Sequence, residues 1–227
     1  VYEPEGAEVT VEVFLDGDLI ETFQLPAGDP PTDATLVFAR TFDAVGEHEV
    51  LVLGVTEGEE VTESDLCSFT VTVEDTTPPE VVCSVLRSTL WPARGSLLPV
   101  GGQAEATDTC GGEAMITSVQ VWSDEDHGVA PYSPDAVEGD EDVLLRGERD
   151  IRQDGRVYLI IVRAVDAWGN EGVGCCTVVV PKAATVGSLA QVQAAASTAR
   201  QFCADNAGAA PGGYFLLLDL SMEEELE

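Results

Sequence analysis

The stretch from Gly155 to Pro181, GRVYLIIVRAVDAWGNEGVGCCTVVVP, limits the fold more than any other part of this 227-residue chain. Val157, Leu159, Ile161, Arg163 and Val165 alternate with Tyr158, Ile160, Val162 and Ala164. Both sets are apolar almost throughout, and β-branched and aromatic side chains dominate. The pattern predicts a strand buried on both faces. Asp166 to Asn170 is turn chemistry, because Gly169 and Asn170 tolerate positive φ. Cys176 to Val180 then supplies the return strand. A long hairpin of this kind closes an immunoglobulin-like β-sandwich, and the other segments can be laid out around it.

The chain has room for two such sandwiches of ~100 residues each and a tail. Residues 1–75 read as the first. Val9 to Leu15 alternates, Asp16-Gly17-Asp18 makes a hairpin turn, and Leu19 to Leu25 is the partner strand. Ala34 to Phe42, Gly46 to Thr56 and Asp65 to Val73 predict three more strands. Val1 to Gly6 is broken by Pro4 and Gly6, so this domain is expected to lack an opening strand. Pro78-Pro79 stiffens the junction. Residues 76–182 form the second sandwich, with strands expected over Val81 to Leu86, Ser96 to Gly102, Gln103 to Asp108, Ala114 to Ser123 and Asp142 to Glu148. Ser123 to Asp142 reads as one long acidic loop. The segment Gly46 to Gly58 followed by Cys67 to Val73 echoes Gly155 to Gly169 followed by Cys176 to Val180, a weak internal repeat.

Residues 183–227 differ in kind. Leu189, Val192, Ala195 or Ala196, Ala199 and Phe202 recur at helical spacing, with Ser188 as the expected N-cap and Gly208 as the stop. Tyr214 to Leu220 is a short apolar strand after Gly212-Gly213. It either pairs within its own chain or fills the missing strand of the next copy's first domain, as in donor-strand complementation. The expected fold class is therefore all-β: two immunoglobulin-like sandwiches and a helix-and-strand tail.

Ten basic against 42 acidic residues give a net charge of −32. That excludes nucleic acid and anionic membranes as partners, since both require basic patches. No apolar run approaches the ~20 residues of a membrane helix, so membrane insertion is not expected. The chain begins at Val1 without Met, as it would after loss of an N-terminal leader. Six cysteines, no CxxC pair and only His48 and His127 argue for disulfides over zinc, and for a secreted or cell-surface protein. Neighbouring strand residues face opposite ways, so only one of Cys175 and Cys176 can reach Cys203 in the tail, and Cys176–Cys203 is the expected pair.

The acidic residues are candidate calcium ligands: Asp75, Asp108 and Asp166 near the junction, and Asp124, Glu125 and Asp126 in the acidic loop. A solvated acidic loop explains the same residues without an ion, and no EF-hand spacing is present. His127 lies beside Asp126, but no GxSxG elbow or other nucleophile context accompanies it, so no enzyme is expected. Among the tryptophans, Trp168 in the turn is the candidate for stacking on carbohydrate, Trp122 reads as core, and Trp91 before Pro92 fits either role.

Residues 76–182 also resemble the hyalin-repeat and bacterial Ig-like modules of large secreted proteins. The resemblance is carried by Asp75-Thr-Thr-Pro-Pro79, Val82-Cys83, Leu90-Trp-Pro92, Ala106-Thr-Asp108 with Cys110, Val121-Trp-Ser-Asp-Glu125, Leu145-Arg-Gly-Glu-Arg149, Gly155-Arg-Val-Tyr158 and Asp166 to Asn170. It implies a Cys83–Cys110 disulfide, and a β-sandwich acting as a spacer, an adhesive unit or an appendage of a secreted enzyme. The expected function is that of a non-catalytic structural or adhesive subunit of a surface layer, sheath or filament. Its partners would be copies of itself or other cell-surface proteins. The alternative is an accessory module of a secreted hydrolase that binds polysaccharide.

Overall fold

The computed structural model describes residues 9–25, 37–42, 44–56, 64–110, 112–126, 133–140 and 142–221. The chain is mostly β and divides into two compact units, Val1–Asp75 and Thr76–Glu227.

In the first unit, β1 (Val9–Leu15), β2 (Asp18–Leu25), β3 (Gly46–Thr56) and β4 (Ser64–Val73) form one antiparallel sheet in the order β2-β1-β3-β4. Leu15 pairs with Asp18, leaving Asp16 and Gly17 as a two-residue turn with φ of 51° and 89°. Positive φ at both positions is what a type I′ hairpin requires. Asp16 also ties this turn to β3, because its Oδ1 accepts from the Glu49 N–H at 2.9 Å. Val9, Val11, Val13 and Val50 bury one face of the sheet. The strand expected over Ala34 to Phe42 is not formed at 37–42, where Val37 is 83% exposed. Strand propensity without a ladder partner to pair with does not make a strand. Among the described residues this unit is a single sheet, and the second layer of the expected sandwich is not among them. Val1 to Gly6, the turn at Glu57 to Glu60 and the acidic end Met222 to Glu227 lie outside the described residues.

The second unit contains β5 (Glu80–Val85), β6 (Leu97–Pro99), β7 (Gly102–Thr107), β8 (Met115–Ser123), β9 (Ala136–Glu138), β10 (Val143–Arg146), β11 (Gly155–Val165), β12 (Glu171–Pro181), α1 (Val186–Asp205) and β13 (Phe215–Ser221). The main sheet runs β12-β11-β8-β13; opposite it lie β5-β7 and β6-β10-β9. Leu90, Val121, Leu145, Tyr158, Ile160, Val162 and Val178 fill the space between these layers. On the other face of the main sheet, Val157 and Val179 pack against Val192, Ala196 and Ala199 of α1, and Leu159 and Ile161 against Cys203. β11 is thus buried on both faces, as its alternation predicts, because one set of side chains meets a sheet and the other a helix.

The tail belongs to this unit. β13 pairs antiparallel with β8 of its own chain, the within-chain pairing that was one of the two arrangements expected for the tail strand. The helix cap is Thr185, not Ser188: the Ser188 N–H donates to Thr185 Oγ1 at 3.2 Å, and the helix begins a turn earlier than its apolar pattern does. Small side chains at 196 and 199 let α1 lie close on the sheet. Gly155, at φ 125°, is needed there as well, since a Cβ would meet the Val180 carbonyl oxygen at 2.8 Å and Val192 Cγ2 at 3.0 Å. The echo between the two halves is visible: Gly46 at φ 127° and Gly155 at φ 125° each open an 11-residue strand that pairs with the next strand in sequence.

The disulfides correct two expectations. Cys83 is joined to Cys176, not Cys110, and Cys203 to Cys175, not Cys176. Cys83 lies opposite Ala104 in the β5–β7 ladder. Cys110 is six residues beyond Ala104, ~20 Å along the strand direction, and exposed. Cys176 projects from the main sheet toward Cys83, while its neighbour Cys175 faces the helix. Cys67 and Cys110 are free thiols. The expected acidic loop is also interrupted, since β9 crosses it and pairs with β10.

Candidate functional site

Between β5 and β6 the chain leaves the sheet and returns over Leu86 to Ser96. Both ends of this excursion are fixed by backbone hydrogen bonds. Arg87 N–H donates to the Val100 carbonyl at 2.9 Å, Leu90 N–H to the Val179 carbonyl at 2.8 Å, and Gly147 N–H to the Ser96 carbonyl at 2.9 Å. Leu90 is fully buried and anchors the segment in the core. Its neighbour Trp91 must then project outward, and it is 43% exposed. The result is a concavity of about 470 Å³ lined by Arg87, Thr89, Trp91, Arg94, Ser96 and Leu98, with no Asp or Glu in its wall. Neither guanidinium has a hydrogen bond or an ion pair among the described residues.

A buried polar network holds this site from behind. Asp135, fully buried, bridges Arg156 Nη2 at 2.8 Å and Arg146 Nε at 3.2 Å. Arg146 Nη1 donates to the Gly95 carbonyl at 2.6 Å, which fixes the loop between Arg94 and Ser96. Its Nε and Nη2 donate to the Pro134 carbonyl. Arg156 Nε donates to Ser123 Oγ at 2.8 Å, and its guanidinium lies 4.7 Å from the centre of the Tyr158 ring. The Tyr158 hydroxyl donates to the Arg146 carbonyl at 2.8 Å, and burial pushes its pKa up. Every charged group here is wired to another part of the fold, as a buried network must be.

The residues expected to hold calcium do not form one site. Asp124 Oδ1 accepts from the Val157 N–H and Glu125 Oε2 from the Asp150 N–H, which latches the residues after β8 to the start of β11 and to the connection before it. Burial raises the pKa of both carboxyls above their ordinary values. The Asp126 carbonyl accepts from Arg156. With Gln191 and Val192 of α1, Asp124 and Glu125 wall a second concavity of about 400 Å³. Asp166 lies at the other end of β11, nine residues from Val157 and so ~30 Å away. Its Oδ1 accepts from the Trp168 and Asn170 N–H groups and its Oδ2 from Asn170 Nδ2. Burial pushes its pKa up, but these hydrogen bonds outweigh it and hold the carboxyl below its usual range. Asp108 Oδ1 accepts from the Cys110 N–H, and that pair offers a carboxylate and a thiol, a softer set than the all-oxygen shell calcium takes. Asp75 is the last residue of the first unit.

His127 lies outside the described residues. Trp168 is 43% exposed on its turn but lines neither concavity, and Trp122 is half-buried with its Nε1 donating to Gln120 Oε1. Arg87 and Arg94 were not legible as site residues from their type alone. The signal was a local one: from Val81 to Ala104 this very acidic chain carries two arginines, one tryptophan and no acid.

No protein-family model and no curated protein matches the chain. Among solved structures, it is similar to the fibronectin(III)-like modules of Clostridium thermocellum CbhA, at 16% identity over 78% of this chain and 82% of that one, with a TM-score of 0.25.

Proposed function

We propose that this chain is a non-catalytic extracellular module with a structural or adhesive role, a subunit of a surface layer, sheath or filament. The observation that carries the proposal is the placement of the two disulfides. One joins the two layers of the sandwich and the other clamps the helix to the outside of the same strand. Cross-links so placed form and persist where the surroundings are oxidising. The resemblance of residues 76–182 to hyalin-repeat and bacterial Ig-like modules belongs to the same reading. A non-catalytic role is supported by the way Asp124, Asp135, Arg156 and Tyr158 are consumed as internal donors and acceptors. Fractionation of the source cells with non-reducing peptide mapping and negative-stain microscopy tests the proposal. Protein outside the cytoplasm, with two disulfides, two free thiols and extended assemblies, is the expected result. Cytoplasmic protein with six reduced thiols overturns the compartment, and a monodisperse monomer overturns the assembly.

A second reading, an accessory module that binds polysaccharide, is favoured by the cavity around Trp91. It replaces Trp168 as the residue offered to sugar, because Trp91 has a concave surrounding with hydroxyl and guanidinium groups and Trp168 does not.

A further inference from the structure

We propose that the cavity between Arg87, Trp91 and Arg94 binds an anionic sugar residue, one bearing a carboxylate or a sulfate, of an extracellular polysaccharide. This rests on the sugar-binding reading above and names the class of sugar.

The charge is the first argument. The chain has ten basic residues in all, and Arg146, Arg149, Arg156 and Arg163 are spent on internal acceptors. Arg87 and Arg94 share one concavity that contains no acid, on a protein of net charge −32. Two guanidinium groups facing one space repel each other unless an anion sits between them. A carboxylate or sulfate there accepts paired N–H bonds from the planar forks, a geometry that lysines would not supply.

The walls are the second argument. Trp91 and Pro92 offer an exposed flat apolar surface, and Thr89 and Ser96 bring hydroxyl groups to the same cavity. A pyranose has C–H groups on its ring faces and hydroxyls around its rim, so it satisfies both surfaces at once; an extended acidic side chain satisfies only the arginines. The volume of about 470 Å³ lies in the range of small-ligand sites. Backbone hydrogen bonds at Arg87, Leu90 and Gly147, with the Arg146 contact to Gly95, hold the walls before any ligand arrives, which lowers the ordering cost of binding. The site is compact and the surrounding field is negative, so recognition is by contact and not by a basic track of the kind nucleic acid needs.

The test uses the full chain in about 0.15 M NaCl, where screening confines the negative field to ~8 Å. Tetragalacturonate, a sulfated tetrasaccharide, neutral galactotetraose and tetraglutamate are titrated by calorimetry and by tryptophan fluorescence. The expected result is binding of an anionic saccharide with a change in tryptophan emission. The uronate and sulfate arms tell which anion is preferred. Trp91→Ala, and Arg87→Gln with Arg94→Gln, each weaken binding by about tenfold or more. All three side chains are exposed, so these variants keep the parent melting temperature. Galactotetraose bound as tightly, with the arginine variants unchanged, overturns the anionic class and leaves sugar binding standing. No saccharide bound at millimolar concentration overturns both. Tetraglutamate bound as well as the uronate makes the cavity an acidic-peptide site and overturns the proposal.

Discussion

Asp135 is the residue on which the second unit's polar interior depends. Its carboxylate faces two guanidinium groups, all three side chains are nearly or fully buried, and neither arginine can be resolvated locally. Asp135→Asn leaves two buried cations with a neutral partner, so a loss of about 3–5 kcal/mol in unfolding free energy is expected. Urea melts monitored at the tyrosines check it, and a loss below 1 kcal/mol would show that the network is solvated. In the first unit, His48 Nδ1 lies 2.7 Å from Asp16 Oδ2, and Nε2 lies 3.0 Å from the Ala44 carbonyl. Both partners are acceptors, so both ring nitrogens donate and the imidazolium is the form that fits. The hydrogen bond to Asp16 raises the His48 pKa above 6.5, and the same bond lowers that of Asp16 below 3.8. The pair's stabilisation is then fully present between those two values. It is lost as pH rises through the raised His48 value or falls through the depressed Asp16 value. Ring-proton NMR should show His48 titrating above 6.5, moving down in Asp16→Asn; titration at or below 6.5 in the parent refutes the pair. Such partners were hidden in the sequence, because Asp135 and Arg156, or Asp16 and His48, are distant in the chain and have nothing in their local context to couple them.

The helix and the strand it covers form the element with the most at stake. α1 buries only Val192, Ala196, Ala199 and Cys203, a narrow stripe of small side chains. That area is modest for a 20-residue helix, so the Cys175–Cys203 bond contributes much of its attachment. Closing a loop with sequence separation 28 stabilises by about 3.5 kcal/mol in loop-entropy terms. Cys203→Ala should therefore release the helix while the sandwich, with its own Cys83–Cys176 bond, stays folded. Hydrogen exchange checks this: amides of α1 lose protection and those of β11 keep theirs. Unchanged protection in α1 would show that the alanine stripe suffices. The helix itself was legible from its 3.6-residue periodicity, but its first turn was not, because Val186 is exposed and off the buried stripe and Gly187 disfavours a helix.

At the scale of the whole chain, the net charge of −32 sets the conditions under which the protein is stable. Raising NaCl from 0.01 to 0.15 M shortens the screening length from ~30 to ~8 Å and relieves self-repulsion. The melting temperature should rise over that range, and a fall would mean that the internal ion pairs outweigh the surface repulsion. The sequence by itself determined what depends on neighbours along the chain. Alternation made β11 a strand buried on both faces, Asp16-Gly17 made a type I′ turn, and adjacent Cys175 and Cys176 had to face opposite ways. Only the tertiary structure decided what lay across from each. The layer covering a face selects the cysteine partner, so Cys176 meets Cys83 through the core and Cys175 meets Cys203 on the helix. Likewise β8 receives the tail strand, and the fixed ends of the Leu86 to Ser96 segment turn Arg87, Trp91 and Arg94 toward one space. Those outcomes depend on register and packing between segments far apart in the chain, which local pattern does not encode.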